Sequence, residues 1–227
     1  MRVSILTAVL PTDPVLQLPS SPPADRQFYY QGASCAIRAL EGADILQLYP
    51  QPTVAAALSA YRPSYQPHEH PLHDWVQRLQ WLAQLDPPVE REALVLHRSS
   101  NTPLGFLALS AVDLPNAKAE MSVAFFRGQG SRPALEAVHW LLDMAFIHLP
   151  FYKLVFCVHP DNHAAIQFLQ GLGIAREAIL RKELRTADGQ RTDLWRYALL
   201  QPEWLSSPAR ARLQRLVPLQ PFSATET

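Results

Sequence analysis

A glycine-rich hexapeptide, Arg127-Gly128-Gln129-Gly130-Ser131-Arg132, separates a strand-like run, Ala119–Phe126, from a long apolar helix pattern over Pro133–Leu149. This juxtaposition narrows the possible folds more than any other feature of the chain. A strand that turns through glycines into an apolar helix belongs to a layered α/β structure, with the helix packed back on a sheet. The turn also carries chemical meaning. Glycines let backbone N–H groups approach a ligand closely, and the start of a helix favours negative charge. Two-glycine turns of this kind are common, so on its own the turn is equally compatible with a structural role.

The flanking pattern extends the α/β reading. In the helix pattern, Leu135, Val138, Leu142, Ala145 and Leu149 recur at spacings of three and four, which predicts a sheet-facing helix. Lys153–Val158 is a nearly continuous apolar run of the buried-strand type. Pro160-Asp161-Asn162 opens a further helix with Ile166 and Leu169 inward and Gly173 as its stop. A hairpin over Ile179–Leu200 turns at Asp188-Gly189. Upstream, Cys35–Leu40 reads as the first core strand and Ala43–Leu48 as a helix. A second helix is expected with Asp74 as N-cap and Trp75, Leu79, Leu82 and Leu85 on or near one face. Glu92–His97 and Thr102–Val112 form two strands joined by Ser99-Ser100-Asn101. The order is strand, two helices, three strands, glycine turn, helix, strand, helix and two strands: a mixed α/β sheet.

This compact part spans residues 31–205. Residues 1–30 carry Pro11, Pro14, Pro19, Pro22 and Pro23 and read as an extended arm. Residues 206–227 read as a tail, with Arg210, Arg212 and Arg215 on a short solvated helix; contact with a partner or an acidic ligand is the alternative. With 48% hydrophobic and 18% charged residues among 227, the chain can bury a full core. Its formal net charge of zero argues against nucleic-acid binding by phosphate neutralisation. Cys35 and Cys157 sit in separate apolar runs and read as buried reduced thiols. The short run Val3–Leu10 is cut by Pro11 and Asp13, so no signal peptide is expected. No run approaches the roughly twenty apolar residues of a membrane span, and the cytoplasm is the expected compartment.

Four segments, in this order, resemble the GNAT superfamily of acyl-CoA-dependent N-acyltransferases over about residues 35–204. They are Arg127-Gly128-Gln129-Gly130, Phe151-Tyr152-Lys153-Leu154, Asp161–Ile166 running on to Gly171-Leu172-Gly173-Ile174, and Glu177–Arg181 with the hairpin. Within the superfamily the chain looks most like the ribosomal-protein N-terminal acetyltransferases. The resemblance implies a mixed, mostly antiparallel sheet splayed at a cofactor cleft and flanked by helices. It implies that acetyl-CoA lies between Glu120–Phe126 and Lys153–Val158, with its pyrophosphate on the N–H groups of residues 128–132. Backbone groups of Val123, Ala124 and Phe125 would meet the pantetheine arm. Arg127, Gly128, Gln129, Gly130, Ser131 and Arg132 would form the pyrophosphate turn, and Asn162 would help hold the cofactor or cap its own helix.

The chain departs from the pattern at three places. Arg132 stands where glycine or alanine is common; its guanidinium suits a phosphate but could crowd the turn. The link from Phe126 to Arg127 is shorter than usual. Leu169 occupies the position where many relatives place a proton-donating tyrosine, which the ribosomal-protein branch often lacks.

Amine acetylation needs a neutral amine, whereas a lysine-type amine has a pKa of about 10.4 and an α-amine one nearer 8. Glu120 matches a strand carboxylate that serves as base in some relatives, and an exposed carboxylate or ion pair is its structural alternative. His159 and His163 flank the Asn162 turn and could substitute for a missing acid, or simply face water. His68-Glu69-His70-Pro71-Leu72-His73 reads as a loop, so no metal is expected; with Tyr61, Tyr65 and Trp75 it could border the acceptor pocket. The chain is therefore expected to be an N-acetyltransferase acting on a small-molecule or peptide amine, as a monomer or homodimer, with no nucleic-acid or membrane partner. A non-catalytic module that binds acyl-CoA or a protein is the alternative, and a tail-mediated interaction domain is a third.

Overall fold

The computed structural model describes residues 28–61, 63, 71–82, 90–186 and 189–220. They form an α/β structure around one eight-stranded sheet. The strands are β1 (Phe28–Gln31), β2 (Cys35–Ala39), β3 (Arg91–His97), β4 (Pro103–Asp113), β5 (Lys118–Phe125), β6 (Lys153–Val158), β7 (Ala175–Arg185) and β8 (Arg191–Leu200). Their order across the sheet is β1-β2-β3-β4-β5-β6-β8-β7. Every pairing is antiparallel except β5 with β6. That parallel step needs a crossover, which α4 (Arg132–Asp143) supplies together with a π-helical turn over Met144–His148.

Helices cover both faces. On one side lie α1 (Gly42–Leu48), α2 (Pro52–Tyr61) and α3 (Pro71–Leu82), with Ile45, Leu58 and Trp75 packed against Leu94, Phe106 and Ala108 of the sheet. On the other lie α4, α5 (His163–Gly171), α6 (Gln201–Ser206) and α7 (Pro208–Leu216), packed on Val95, Leu107, Leu154 and Phe156. The alternation of each strand sends successive side chains to opposite faces, and β4, buried on both from Leu104 to Ser110, reads as a nearly unbroken apolar run, whereas β6 buries Leu154, Phe156 and Val158 and leaves Val155 and Cys157 half-buried.

Several elements differ from the sequence expectation. The expected N-cap Asp74 lies inside the first turn of α3, which begins at Pro71, where proline's fixed φ suits a helix start. An additional helix, α2, fills the stretch after Pro52. β1 extends the sheet back to Phe28, across the 30/31 boundary. The segment expected to be a solvated tail helix is α7, and it is docked: Ala209, Leu213 and Val217 are buried. Arg210, expected to face water, bonds Asp143 through Nε at 2.9 Å and Nη2 at 3.2 Å.

Polar side chains on α4 make these attachments. Glu136 is 1% exposed, and its carboxylate accepts from Ala33 N (2.8 Å), Ser34 N (2.7 Å), the Ser34 hydroxyl and Tyr30 Oη (2.9 Å). Gly32 makes room for it, since a Cβ there would lie 2.0 Å from Glu136 Oε1. One turn on, His139 Nδ1 lies 3.0 Å from the Val217 carbonyl. Burial pushes the His139 pKa down, so the ring is neutral and Nδ1 carries the donated proton. Asp143 accepts from Trp204 Nε1 at 2.7 Å as well as from Arg210.

Two outcomes follow for stability. Glu136→Gln keeps the shape but leaves four donors short of a charged acceptor; urea unfolding should show a loss of about 2 kcal/mol. Leu213→Ala, in the docked α7, should cost about 2–4 kcal/mol by the same assay, whereas Leu216→Ala, at 52% exposure, should cost under about 0.5 kcal/mol.

Candidate active site

β5 and β6 pair for only three residues: Lys118 with Lys153, Ala119 with Leu154 and Glu120 with Val155. Beyond Glu120 the two strands diverge, while β5 stays bonded to β4 as far as Phe125. The result is a fork in the middle of the sheet. Met121, Ser122 and Val123 line one prong, and Phe156, Cys157 and Val158 the other. Asn162, Ala165, Phe168 and Leu169 of α5 close one side, and Tyr61 of α2 reaches in as well.

The backbone of β5 is poised at this fork. Phe126 donates its N–H to Leu104 O on β4 at 3.0 Å. In an antiparallel ladder, successive residues turn both polar groups to alternate edges. Ala124 and Ser122 therefore spend theirs on β4, whereas Met121, Val123 and Phe125 turn theirs to the fork. Of the residues 123–125 expected to meet a cofactor arm, Ala124 is thus on the wrong edge. The Phe125 carbonyl accepts from Gln129 Nε2 at 2.7 Å, which ties the strand end to the turn.

Residues 126–131 form the turn between β5 and α4. Gly128 (φ +63°) and Gly130 (φ +71°) adopt left-handed conformations that side chains other than glycine rarely hold. Ser131 N bonds back to Gly128 O at 2.9 Å, which closes the turn and removes that N–H from the expected set. The N–H groups of Gly128, Gln129, Gly130 and Arg132 make no hydrogen bond among the described residues. Arg132 is the first residue of α4 and is exposed, so it does not crowd the turn. Arg127 is exposed too, with Nη2 bonded to Gln51 Oε1 at 3.0 Å.

Glu120 sits at the crotch of the fork, half-buried, and its Oε2 accepts from Cys157 Sγ at 3.6 Å. Burial and the Glu120 charge push the Cys157 thiol up to about 11. At neutral pH it is a protonated donor, not a nucleophile. Asn162 caps α5, with Oδ1 accepting from Ala165 N at 3.1 Å, and also lines the fork. Leu169, 4% exposed, presents an apolar surface there. Neither His159 nor His163 lines the fork: His159 Nδ1 accepts from Asp161 N of its own turn at 3.2 Å, and His163 is exposed.

Tyr61 is 2% exposed and donates to Glu92 Oε2 at 2.9 Å, while Trp75 packs beneath it at 6.0 Å between ring centroids. His68, Glu69, His70 and Tyr65 lie outside the described residues. Among the described residues no group of three or more His, Cys, Asp or Glu could hold a metal. Ser122 and Cys157 were not legible as site residues, because their place depends on where the strands part. No helix among the described residues is long and apolar enough to cross a membrane.

Comparison with known proteins agrees with this geometry. A protein of known structure described as a putative acetyltransferase is 26% identical, with TM-score 0.60 over 82% of this chain and 91% of its own. A GCN5-related N-acetyltransferase from Brucella melitensis superposes with TM-score 0.67 at 18% identity, covering 87% and 88% of the two chains. A spermidine N-acetyltransferase variant from Vibrio cholerae does so with TM-score 0.60 at 20% identity, covering 76% and 96%. At these identities the last two share the fold. No curated protein sequence matches. The acetyltransferase (GNAT) domain family matches residues 36–175, which hold both prongs of the fork, the turn and α5. The chain, with its sheet forked between β5 and β6 and a glycine turn leading into α4, belongs to the GNAT acetyltransferase family.

Proposed function

We propose that the chain moves the acetyl group of acetyl-CoA to a primary amine at the fork between β5 and β6. The observation that carries this reading is the backbone edge of Met121, Val123 and Phe125, turned to the gap where β6 parts from β5, leading to a turn whose Gly128, Gln129, Gly130 and Arg132 N–H groups make no hydrogen bond among the described residues. An extended, amide-bearing pantetheine arm complements such an edge as an added strand would. A diphosphate complements N–H groups at a helix start. The residues present fit acetyl-CoA on this test: left-handed Gly128 and Gly130 keep the turn bare, and a Cβ on Gly130 would enter open space with nothing within 4 Å. Arg127 and Arg132 bring positive charge to the turn, and Asn162 Nδ2 remains able to donate into the fork. Acetyl-CoA would supply an acetyl thioester already activated toward amines.

This chain's residues then do three things. Met121, Val123 and Phe125 orient the arm through their backbone groups. Glu120 removes the proton from the incoming amine, directly or through water, because an amine of pKa near about 10.4 arrives protonated. Leu169 offers no proton, and none is required: a thiol of pKa about 8.5 departs readily as the thiolate. Direct transfer also accords with Cys157, whose raised pKa keeps it from acting as a nucleophile.

The acceptor is a small-molecule or peptide amine. The spermidine acetyltransferase neighbour makes polyamines one class to test, and the resemblance to ribosomal-protein N-terminal acetyltransferases makes peptide N-termini the other. We place the protein in the cytoplasm, as a monomer or homodimer; its two free cysteines, Cys35 and Cys157, accord with a reducing compartment.

Calorimetric titration with acetyl-CoA tests the cofactor site. The native chain should bind, and Gly130→Glu, which sets a strained carboxylate against the diphosphate, should abolish binding. No binding by the native chain would leave a GNAT scaffold without the proposed activity. Glu120→Gln should keep acetyl-CoA affinity and lower kcat by about 10²–10⁴ in a thiol-release assay with the amine that a screen identifies.

A further inference from the structure

Glu120 is one end of a row that crosses three strands. Glu120 pairs with Val155, so Cys157, two residues further along β6, projects from the same face of the sheet. Cys157 in turn pairs with Arg196 on β8, which places Arg196 on that face as well. The row is therefore carboxylate, thiol and guanidinium, across β5, β6 and β8. Cys157 donates to Glu120 Oε2, while Oε1 has no hydrogen-bond partner among the described residues. Arg196 Nε is buried and makes no hydrogen bond. The other cations on this face of β5 and β6 are paired elsewhere: Lys153 with Glu177 at 2.6 Å and Lys118 with Asp113 at 3.2 Å. On the β4 side Glu120 faces the neutral Ser110, and the next residue on its own face, Ser122, is neutral too.

We propose that Cys157 and Arg196 are positioning residues for Glu120: the thiol holds one carboxylate oxygen and leaves the other free for the amine, while Arg196 holds the thiol in place. This rests on Glu120 acting as the base. The physical logic is restraint. An unrestrained Glu side chain samples several rotamers, whereas a base must hold its oxygen within hydrogen-bond reach of the proton it takes. A thiol suits the task at neutral pH, because it is neutral, stays protonated and fits where a second carboxylate or a lysine would alter the charge at the fork. The charge balance agrees: the Glu120 charge raises the Cys157 pKa and the Arg196 charge lowers it.

Two readouts on the intact protein test the row. The first needs no acceptor: iodoacetamide alkylation of Cys157 at pH 8, located by peptide mapping. Glu120→Gln should speed it about threefold or more, because the thiol loses an anionic neighbour; Arg196→Gln should slow it by a similar factor. Rates unchanged in both variants would overturn the row. The second is steady-state acetyl transfer. Cys157→Ala should lower kcat about tenfold with KM for acetyl-CoA unchanged, and Cys157→Ser, which keeps a donor, should recover most of it. A Cys157→Ala enzyme with native kcat, or Ser behaving as Ala, would overturn the positioning role. Failure of the native chain to bind acetyl-CoA would overturn the transfer reading instead, and the alkylation rates would still decide the contact on their own.

Discussion

The buried carboxylate of Glu136 and its neighbours on α4 hold the fold together around the fork. Hydrogen bonds to a buried, charged acceptor are stronger than neutral ones, and leaving such a group unpaired is costly. α4 places Glu136, His139 and Asp143 along adjoining turns. Glu136 gathers Tyr30, Ala33 and Ser34 from the N-terminal edge of the sheet. His139 and Asp143 gather Val217, Trp204 and Arg210 from the C-terminal segment. The two ends of the described chain thus converge on the helix that the glycine turn launches. Locking α4 also locks its first turn, and with it the unbonded N–H groups of the glycine turn.

The fork lies at the one parallel pairing in the sheet. β5 runs on through the glycine turn into the crossover helix α4, and β6 follows that helix and the π-helical turn. Three residue pairs hold the strands together before they part. Past that point β5 keeps β4 on one edge and turns the other to the fork, where β6 no longer pairs with it. In most sheets an open central edge would be a defect inviting unwanted pairing. Here α5 and Tyr61 border it. Glu120 stands where pairing ends, on the last rung of the β5–β6 ladder, which is where the proposed base would act.

Much of this architecture was visible in the chain before the structure. The run Lys153–Val158 matched β6 residue for residue, its apolar signature coming from Leu154, Phe156 and Val158 buried on one face and Val155 and Cys157 half-buried on the other. The glycine turn was legible because the backbone must take positive φ at residues 128 and 130, and Asn162 because its side chain caps the helix it precedes. α2 and the docking of α7 were not. α2 begins after a tyrosine, a proline and a glutamine that resemble a loop, and tertiary packing of Val54, Leu58 and Tyr61 decides its state. Arg210 on α7 looks solvated in any local reading, since nothing near it in sequence announces Asp143, 67 residues away.

The same division runs through the site. Local chemistry determined which stretches are strands, which helix begins at the turn, and that the turn can meet an anion, because φ preference, capping and hydrophobic period act over a few residues. Tertiary structure alone decided which backbone edges stay unpaired and which side chains meet. Ala124 turns to β4 and Val123 to the fork because of strand register, a property of two segments together. Ser131 closes its own turn instead of offering its N–H. Cys157, an unremarkable apolar thiol in the sequence, reaches Glu120 across 37 residues. Contacts of that kind depend on where β5 and β6 stop pairing, and no interaction within either segment encodes that point.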